Sequence, residues 1–372
     1  MKASGNRKEK WMKIIRRVLI GLNLLNSLAL IFAYLGTHIS PNSIGILAFF
    51  GLSYEIWLVI AVFFIVLWLF IRRRMVLISA VTILLGFNHL RHYVSITLWN
   101  TDIENPIKVM SYNVHIFDFF DQDKRMDNRH SIFKFLEKED PAIVCFQEFF
   151  QHEGARDFVT RDTIIKILNA PFFHERYTHD MAFQRYFGTV TISKYPIVNM
   201  GEIPFENDAN NFCIYTDIDV NGKILRVFNA HMGSIRFQDP DYGFFGGSGD
   251  GRYLDKGDKQ RIYDRLLQAF QKRAIQAERV AEEIEKSPYP VIFCSDMNDT
   301  PISYSYRQFI RLMDDAFVNS GSGIGTTYIG EMPANRIDYI FHSPELLSAE
   351  FTTHAVDFSD HHPISCLIGF ED

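Results

Sequence analysis

The sequence predicts an α/β fold, two packed β-sheets with helices outside, following an N-terminal segment built for a membrane. Three observations lead there. Short runs rich in Val, Ile, Phe and Tyr recur from Ile107 onward, at residues 108–114, 142–147, 189–193, 213–220, 224–230, 291–294, 337–341 and 364–369, the composition of buried or half-buried strands. Helical periodicity falls between only some of them, at 130–138, 163–168, 261–285 and 304–314, so the strict strand–helix alternation of a doubly wound sheet is absent. The first hundred residues, by contrast, are long apolar stretches with almost no acid.

Those stretches predict spans at about 16–36, 46–71 and 75–98, since a helix needs ~20 mostly apolar residues to cross the hydrocarbon core. Only Gly21, Asn23, Asn26 and Ser27 interrupt the first. Lys8, Lys10, Lys13, Arg16 and Arg17 precede it and Arg72, Arg73 and Arg74 follow the second, whereas the linker 37–43 carries no basic residue except histidine. The excess of Lys and Arg puts both clusters in the cytoplasm and the linker outside. The third run is apolar to Phe87 and then polar at Asn88, His89, Arg91 and His92. We read it as spanning, with Arg91 snorkelling and Trp99 anchoring at the outer interface. The remainder of the chain is then extracytoplasmic, on an integral protein of a cytoplasmic-type membrane; if the third run lay along the surface, the remainder would be cytoplasmic. A removable signal peptide is rejected on the length of the first run and the lack of a small-residue cleavage pattern. Glu55 reads as an acid near the outer end of the second span, and without paired intramembrane charges anchoring is preferred to transport. The expected division is a membrane anchor, 1–100, and a globular domain, 101–372, with the polar, proline-ended 101–106 as the linker.

Charge narrows the function. The chain carries −6 overall, but residues 1–101 hold eleven basic residues and two acids, leaving 27 basic and 42 acidic residues, −15, in the remainder. Such a domain repels polyanions at long range, which disfavours a dedicated nucleic-acid binder. Cys145, Cys213, Cys294 and Cys366 each sit inside an apolar run without Cys-x-x-Cys spacing and read as buried thiols. The glycine-rich stretches 243–251 and 321–325 lack the Gly-Lys-Ser/Thr of a phosphate-binding loop; the first reads as a substrate lid or a plain insertion. Asn221-Gly222, between two apolar runs, signals a two-residue hairpin.

The chemistry lies in polar clusters at the edges of the strand-like runs: Ser-Tyr-Asn113, Phe-Gln-Glu148, Asn229-Ala-His231, Ser-Asp296-Met-Asn298, Arg-Ile-Asp338 and Ser-Asp360-His361. Hard divalent cations prefer carboxylate and carbonyl oxygens, and Mg²⁺ takes one or two carboxylates plus water and phosphate. Glu148, expected as the first residue past a buried strand, suits that role. Strand alternation would set Asp296 and Asn298 on one face, although Asp-Met-Asn-Asp reads equally well as a turn. His361 is the candidate general base, and Asp338, an acid inside an apolar run, is the partner that would fix its tautomer. His231 supplies a second imidazole. The remaining histidines read as surface or packing residues.

In that order the clusters resemble the endonuclease/exonuclease/phosphatase superfamily, the deoxyribonuclease I-like enzymes, over about residues 107–370. Gly188-Thr-Val-Thr-Ile-Ser-Lys-Tyr-Pro196 is similar to that family's glycine-led strand ending in Ser-(Lys/Arg)-x-Pro. The resemblance implies a four-layer α/β/β/α sandwich. It implies that Asn113 and Asn298 hold phosphate with His231, that Glu148 with Asp360 and Asn113 binds Mg²⁺ (Mn²⁺ as the substitute), that Asp296 orients water, and that His361 and Asp338 form the base pair. The expected function is a membrane-anchored, Mg²⁺-dependent phosphoesterase cutting a diester or monoester by in-line attack of water, on a phospholipid or other small phosphoester. Its alternatives are a metal-dependent endo- or exonuclease and, from another class, a non-catalytic binding module. The expected partners are the lipid bilayer and a phosphoester (lipid head group, phosphosugar or nucleic acid); no protein partner is inferred.

Overall fold

The computed structural model describes residues 2–97, 101–121, 123–153, 159–181, 185–206, 208, 210–235, 256–330 and 335–371. The glycine-rich stretch 243–251 and the expected anchor Trp99 lie outside the described residues. Two units emerge, Met1–His92 with Ile302–Tyr304, and Tyr93–Pro301 with Ser305–Asp372.

The first unit is helical: α1 (Lys2–Gly36), α2 (Ile46–Leu52), α3 (Tyr54–Ile71), α4 (Val76–Leu85) and α5 (Phe87–Tyr93). Two helices, Glu9–Gly36 and Tyr54–Ile71, are long and apolar enough to cross a membrane. The second expected span is thus broken at Ser53, and the third is a pair, Arg73–Leu85 and Phe87–Tyr93, bent by 66°. The amides that interrupt α1 face its neighbours. Ser79 Oγ donates to Asn23 Oδ1 at 2.7 Å and Asn26 Nδ2 to the Trp57 carbonyl at 3.1 Å, the interhelical polar bonds that hold helices together in lipid. Leu25, Val59, Phe63 and Phe70 stay exposed around them. At the bend, Gly86 lies so close to Tyr34 that a Cβ would meet its ring at 2.1 Å. The His89 ring then stacks on Tyr34 at 5.0 Å and meets His38 edge-on at 6.4 Å.

The second unit holds two six-stranded sheets. Its main strands are β1 (Ile107–Asn113), β2 (Ile143–His152), β3 (Phe172–Met181), β4 (Arg185–Ser193), β5 (Ile197–Pro204), β6 (Phe212–Val220), β7 (Lys223–His231), β8 (Val291–Asp296), β9 (Asp338–His342), β10 (Leu346–Thr353) and β11 (Ile364–Phe370). One sheet runs β10-β11-β1-β2-β4-β3; the other runs β9-β8-β7-β6-β5, with the two-residue strand Asp314–Asp315 beyond β9. At the centre of each lies its one parallel pair, β1 with β2 and β7 with β8. The hairpin at Asn221-Gly222 joins β6 to β7 in the expected register, Val220 opposite Lys223, with both turn residues at positive φ (+55° and +90°).

Alternation along the strands builds the layers. On β1, Met110 and Tyr112 face a core shared with Ile132 and Leu136 of α6 (Arg125–Glu139) and Ile164 and Leu168 of α7 (Thr160–Leu168). Ile107 and Val109 face the other way, into a core between the sheets with Val227, Cys294, Ile340 and Cys366. On the second sheet, Phe228 and Phe293 pack under Ala277, Val280 and Ile284 of α8 (Lys256–Glu285) and Phe309 of α9 (Tyr304–Ile310). This is the expected α/β/β/α sandwich. All four cysteines are buried and free, and burial pushes the Cys213 and Cys366 thiols far up.

Several boundaries differ from expectation. The helix expected over 304–314 stops at Ile310, and Asp314–Asp315 pairs with His342 and Phe341 instead. The third apolar run cannot stay helical to 98, because Ser95–Ile96 pairs with Ser322–Gly323 and Thr97 Oγ1 donates to the Gly321 carbonyl at 2.7 Å. The contact units themselves divide at His92/Tyr93.

Polar bolts cross the apolar space between the sheets. Gln147 Nε2 donates to Asn229 Oδ1 at 2.8 Å. Asn229 Nδ2 in turn reaches the Val190 carbonyl at 3.1 Å and Thr191 Oγ1 at 3.2 Å. Both amides are fully buried, so the Asn229→Ala variant, which strands their partners away from water, should lose roughly 2–3 kcal/mol of stability. Urea unfolding of the full chain in lipid nanodiscs, followed by near-UV circular dichroism, measures this; an unchanged midpoint would show the bolt to be dispensable.

Candidate active site

Each parallel central pair brings its C-terminal ends to one edge of its sheet, and those edges meet. Asn113 closes β1, His231 closes β7 and Asp296 closes β8, while Asp338 opens the antiparallel β9 directly opposite Asp296. The junction is a hydrogen bond from Asn113 Nδ2 to Asp296 Oδ2 at 2.8 Å. Asn113 Oδ1 accepts the His115 N–H at 3.0 Å, so this amide is first of all a tie between the sheets. His231 Nε2 stands 3.7 Å from the same Asp296 oxygen and 3.5 Å from Glu148 Oε1.

On the far side of Asp296 is a dyad. His361 Nδ1 and Asp338 Oδ2 lie 2.8 Å apart, with the ring's Nε2 3.8 Å from Asp296 Oδ2 and 4.0 Å from Asp360 Oδ1. Asp338 therefore holds the Nδ1–H tautomer and leaves Nε2 aimed at the site. The backbone N–H groups of Ile337 and Asp338 are fixed on Thr327 Oγ1, and the loop carrying His361 is tied to β1 by Ser359 Oγ donating to the Asn113 carbonyl at 2.9 Å. Burial opposes charge on His361, but the Asp338, Asp296 and Asp360 carboxylates outweigh it and raise its pKa well above the ordinary imidazole range. Burial, against the pull of His361, raises the Asp338 carboxyl. His362, one position on, turns away and places Nδ1 3.0 Å from the Val356 carbonyl.

Two expectations about local backbone need correction. Glu148 does not end a strand. β2 continues to His152, and Glu148 sits at a register shift between Phe146 and Phe149 with φ +48°. The bulge gives it its orientation, and its side chain is 29% exposed. Nor do Asp296 and Asn298 share a strand face: β8 ends at Asp296, and Asn298 has φ +52°. Its N–H closes a turn on Asp296 Oδ1 at 2.9 Å, while its Nδ2 donates to the Met232 carbonyl at 3.1 Å. The turn reading is the one the structure adopts.

His115, expected among the surface or packing histidines, joins the site. His115, Ile116, Phe117 and Asp118 all have φ between +43° and +55°, a left-handed turn without glycine that costs roughly 1–2 kcal/mol per residue. Asn128 Nδ2 clamps it through Asp118 Oδ2. His115 Nδ1 lies 2.9 Å from Asp118 Oδ1 and 3.9 Å from Asp360 Oδ1. The Asp118 hydrogen bond, opposed by burial and helped by Asp360 and Glu148, raises its pKa to about 9. The pair His115-x-x-Asp118, two residues after Asn113, is the signal in the sequence.

Glu148, Asp296, Asp338 and Asp360 thus crowd one site, and among the described residues their ion pairs all run to histidines. A surplus of carboxylates without Lys or Arg is a donor set suited to a hard cation. Among the described residues the tightest cluster is Asp296, Asp338 and His361, with donor atoms within 4.8 Å of one another. Those three are buried and already bonded to each other or to Asn113. Glu148 and Asp360, 29% and 28% exposed, leave room for the waters that Mg²⁺ keeps.

Residues 110–361 match the sequence profile of the Endonuclease/Exonuclease/phosphatase family. The chain belongs to that family. As such it is a metal-dependent hydrolase acting on phosphate esters. Residues 16–93 separately match the profile of a domain of unknown function, and no curated protein sequence matches the chain. Among solved structures, an endonuclease/exonuclease/phosphatase from Beutenbergia cavernae is 16% identical with TM-score 0.51, covering 72% of either chain. One from Bacteroides vulgatus is 15% identical (TM-score 0.51; 72% of this chain, all of the other). The human Nocturnin catalytic domain, solved with bound sulfate, is 16% identical (TM-score 0.52; 73% and 97%). Identities this low show the shared fold of the family. Within it, Gly188 of the Gly188–Pro196 segment has a packing reason: a Cβ there would stand 2.1 Å from the Arg176 carbonyl oxygen of the neighbouring strand.

The dyad makes a signed prediction. The Asp338→Asn change removes a charge that favours imidazolium, so the His361 pKa falls. The acid limb of the pH–rate profile, below which the base is protonated, should move to lower pH, with kcat down by about 10²–10⁴. An unmoved limb would assign it to another group.

Proposed function

We propose that this family member is a membrane-anchored, Mg²⁺-dependent phosphodiesterase in which His361, oriented by Asp338, handles the proton of the attacking water. The observation that carries the reading is the line Asn113–Asp296–His361–Asp338 across the meeting ends of the two sheets, with one imidazole nitrogen fixed and the other open to the site. Glu148 and Asp360 would hold the cation, with one Asn113 Oδ1 lone pair to spare. That ion supplies charge to offset the phosphate's own. Asp296, held by Asn113 and flanked by both His231 and His361, orients water between them. His231 Nε2, without a hydrogen-bond partner among the described residues, faces the phosphate or the leaving oxygen, and the second N–H of the Asn298 amide binds a phosphoryl oxygen. His115, held by Asp118 and 3.9 Å from Asp360, adds a third imidazole to this side of the site.

The −15 charge outside the first 101 residues favours a small or membrane-borne ester over a nucleic-acid polyanion. A nuclease is the second reading, on the strength of the family's name. For the membrane, the bent pair Arg73–Leu85 and Phe87–Tyr93 supports a third crossing: Gly86 and His89, at and after its bend, meet Tyr34 and His38 at the end of α1 opposite Arg16 and Arg17. The bend then lies at the outer interface, and the hydrolase domain is extracytoplasmic.

The full chain in nanodiscs should hydrolyse a generic phosphodiester with Mg²⁺, more weakly or strongly with Mn²⁺, and not with EDTA, and His361→Ala should abolish turnover. Offered DNA against choline and inositol phospholipids, it should prefer the lipids; a preference for DNA would install the nuclease reading. A reporter active only outside the cytoplasm, fused after residue 105, should be active. Silence there, with a matched cytoplasmic reporter active, would remove the third crossing.

A further inference from the structure

A cavity of ≈ 350 Å³ opens beside the site, with Glu148 and His231 in its wall. Its other large walls are Ile116, Phe120, Phe150, Phe187 and Phe212, and among the described residues no Lys or Arg lines it. The aromatic wall is built by the site's own strained backbone. The left-handed turn at His115–Asp118 delivers Ile116 and is followed by Phe119, which packs on Phe150 at 4.2 Å and on Phe120 at 5.4 Å. Phe120 remains 66% exposed. Thr189, Asn210, Asn211 and Ser234 add polar groups to the lining. Asn211, also in the cavity wall, donates Nδ2 to the carbonyls of His231 and Met232, which leaves its buried Oδ1 with no hydrogen-bond partner. An unsatisfied buried acceptor asks for a donor from a ligand.

We propose that this cavity binds the non-reacting alcohol of the phosphodiester substrate, and that this alcohol is a short apolar chain carrying a hydroxyl or amide N–H near its ester oxygen. The proposal rests on the phosphoesterase reading of the adjoining site. A nucleotide sugar would leave four phenylalanines and an isoleucine facing a polar, charged chain, and among the described lining residues there is no Lys or Arg for the next phosphate. The volume lies at the small end of the range for ligand pockets, ~300–1,000 Å³, so it takes one apolar group near the phosphorus rather than an entire two-chain lipid.

The test uses the full chain in nanodiscs with Mg²⁺ and a series of p-nitrophenyl phosphodiesters whose second alcohol is methyl, butyl, hexyl or 2-hydroxyhexyl, with thymidine 5′-p-nitrophenyl phosphate as the nucleotide comparator. Each methylene buried is worth up to about fourfold, so kcat/KM should rise at least tenfold from methyl to hexyl, and the 2-hydroxyhexyl ester should exceed hexyl. The Phe120→Ser variant, at an exposed ring, should flatten the chain-length dependence, read as the ratio of hexyl to methyl kcat/KM. Phe187→Ala should do the same from the opposite wall. Equal turnover of methyl and hexyl esters, chain-length dependence that survives both variants, or preference for the thymidine ester would overturn the proposal. A hexyl ester equal to its hydroxylated analogue would strike out the donor. Absence of Mg²⁺-dependent turnover on every ester, methyl included, would instead sink the phosphoesterase reading beneath it.

Discussion

Everything at this site depends on one hydrogen bond between two sheets, Asn113 to Asp296. Two stacked sheets share an apolar interior that constrains their sliding only loosely, since hydrophobic contact is non-directional. A directional bond between strand ends does constrain it. With the Gln147–Asn229 bolt one layer deeper, the edges are fixed so that His231, Asp296, Asp338 and His361 fall within a few ångströms, although they come from four places along the chain. A neutral amide is well suited to the tie, because a buried charge pair there would pay a larger desolvation cost.

The architecture explains why so much could be read without coordinates. Buried central strands have to be nearly continuous apolar runs, and all eight interior strands of the two sheets announce themselves that way. The three long strands that gave no such signal are β3, β5 and β10, and each lies at a sheet edge. Edge strands carry charge and proline because an apolar edge invites pairing with other chains; Phe-Phe-His-Glu-Arg-Tyr in β3 and the terminal Pro204 of β5 show this. The helical unit shows the complementary effect: Asn23 and Asn26 looked like flaws in a span and prove to be its contacts with other helices.

At the site, residues held by regular structure were legible and residues held by irregular backbone were not. Asp338 and His361 could be paired in advance because an acid in an apolar strand needs a partner. Glu148 was recognised for its chemistry, but its geometry comes from a bulge, which period-2 reasoning cannot foresee. Asn298 is likewise placed by a turn. His115 escaped notice because its placement depends on four successive residues in a conformation that their side chains disfavour, and no composition rule predicts that choice.

That irregular backbone also sets how the protein can change. Glu148, Asn298 and the turn from His115 to Asp118 are six positions where an L-residue occupies the left-handed region, each more comfortable as glycine. The molecule therefore carries a reserve of unrealised stability, concentrated where its chemistry is. A lineage or a selection that favours thermal robustness alone would find that reserve by replacing these residues with glycine, and would lose the carboxylate, amide and imidazole in doing so. Stability gained elsewhere on the scaffold carries no such conflict, so the heat-adapted form of this protein should differ from it nearly everywhere except here.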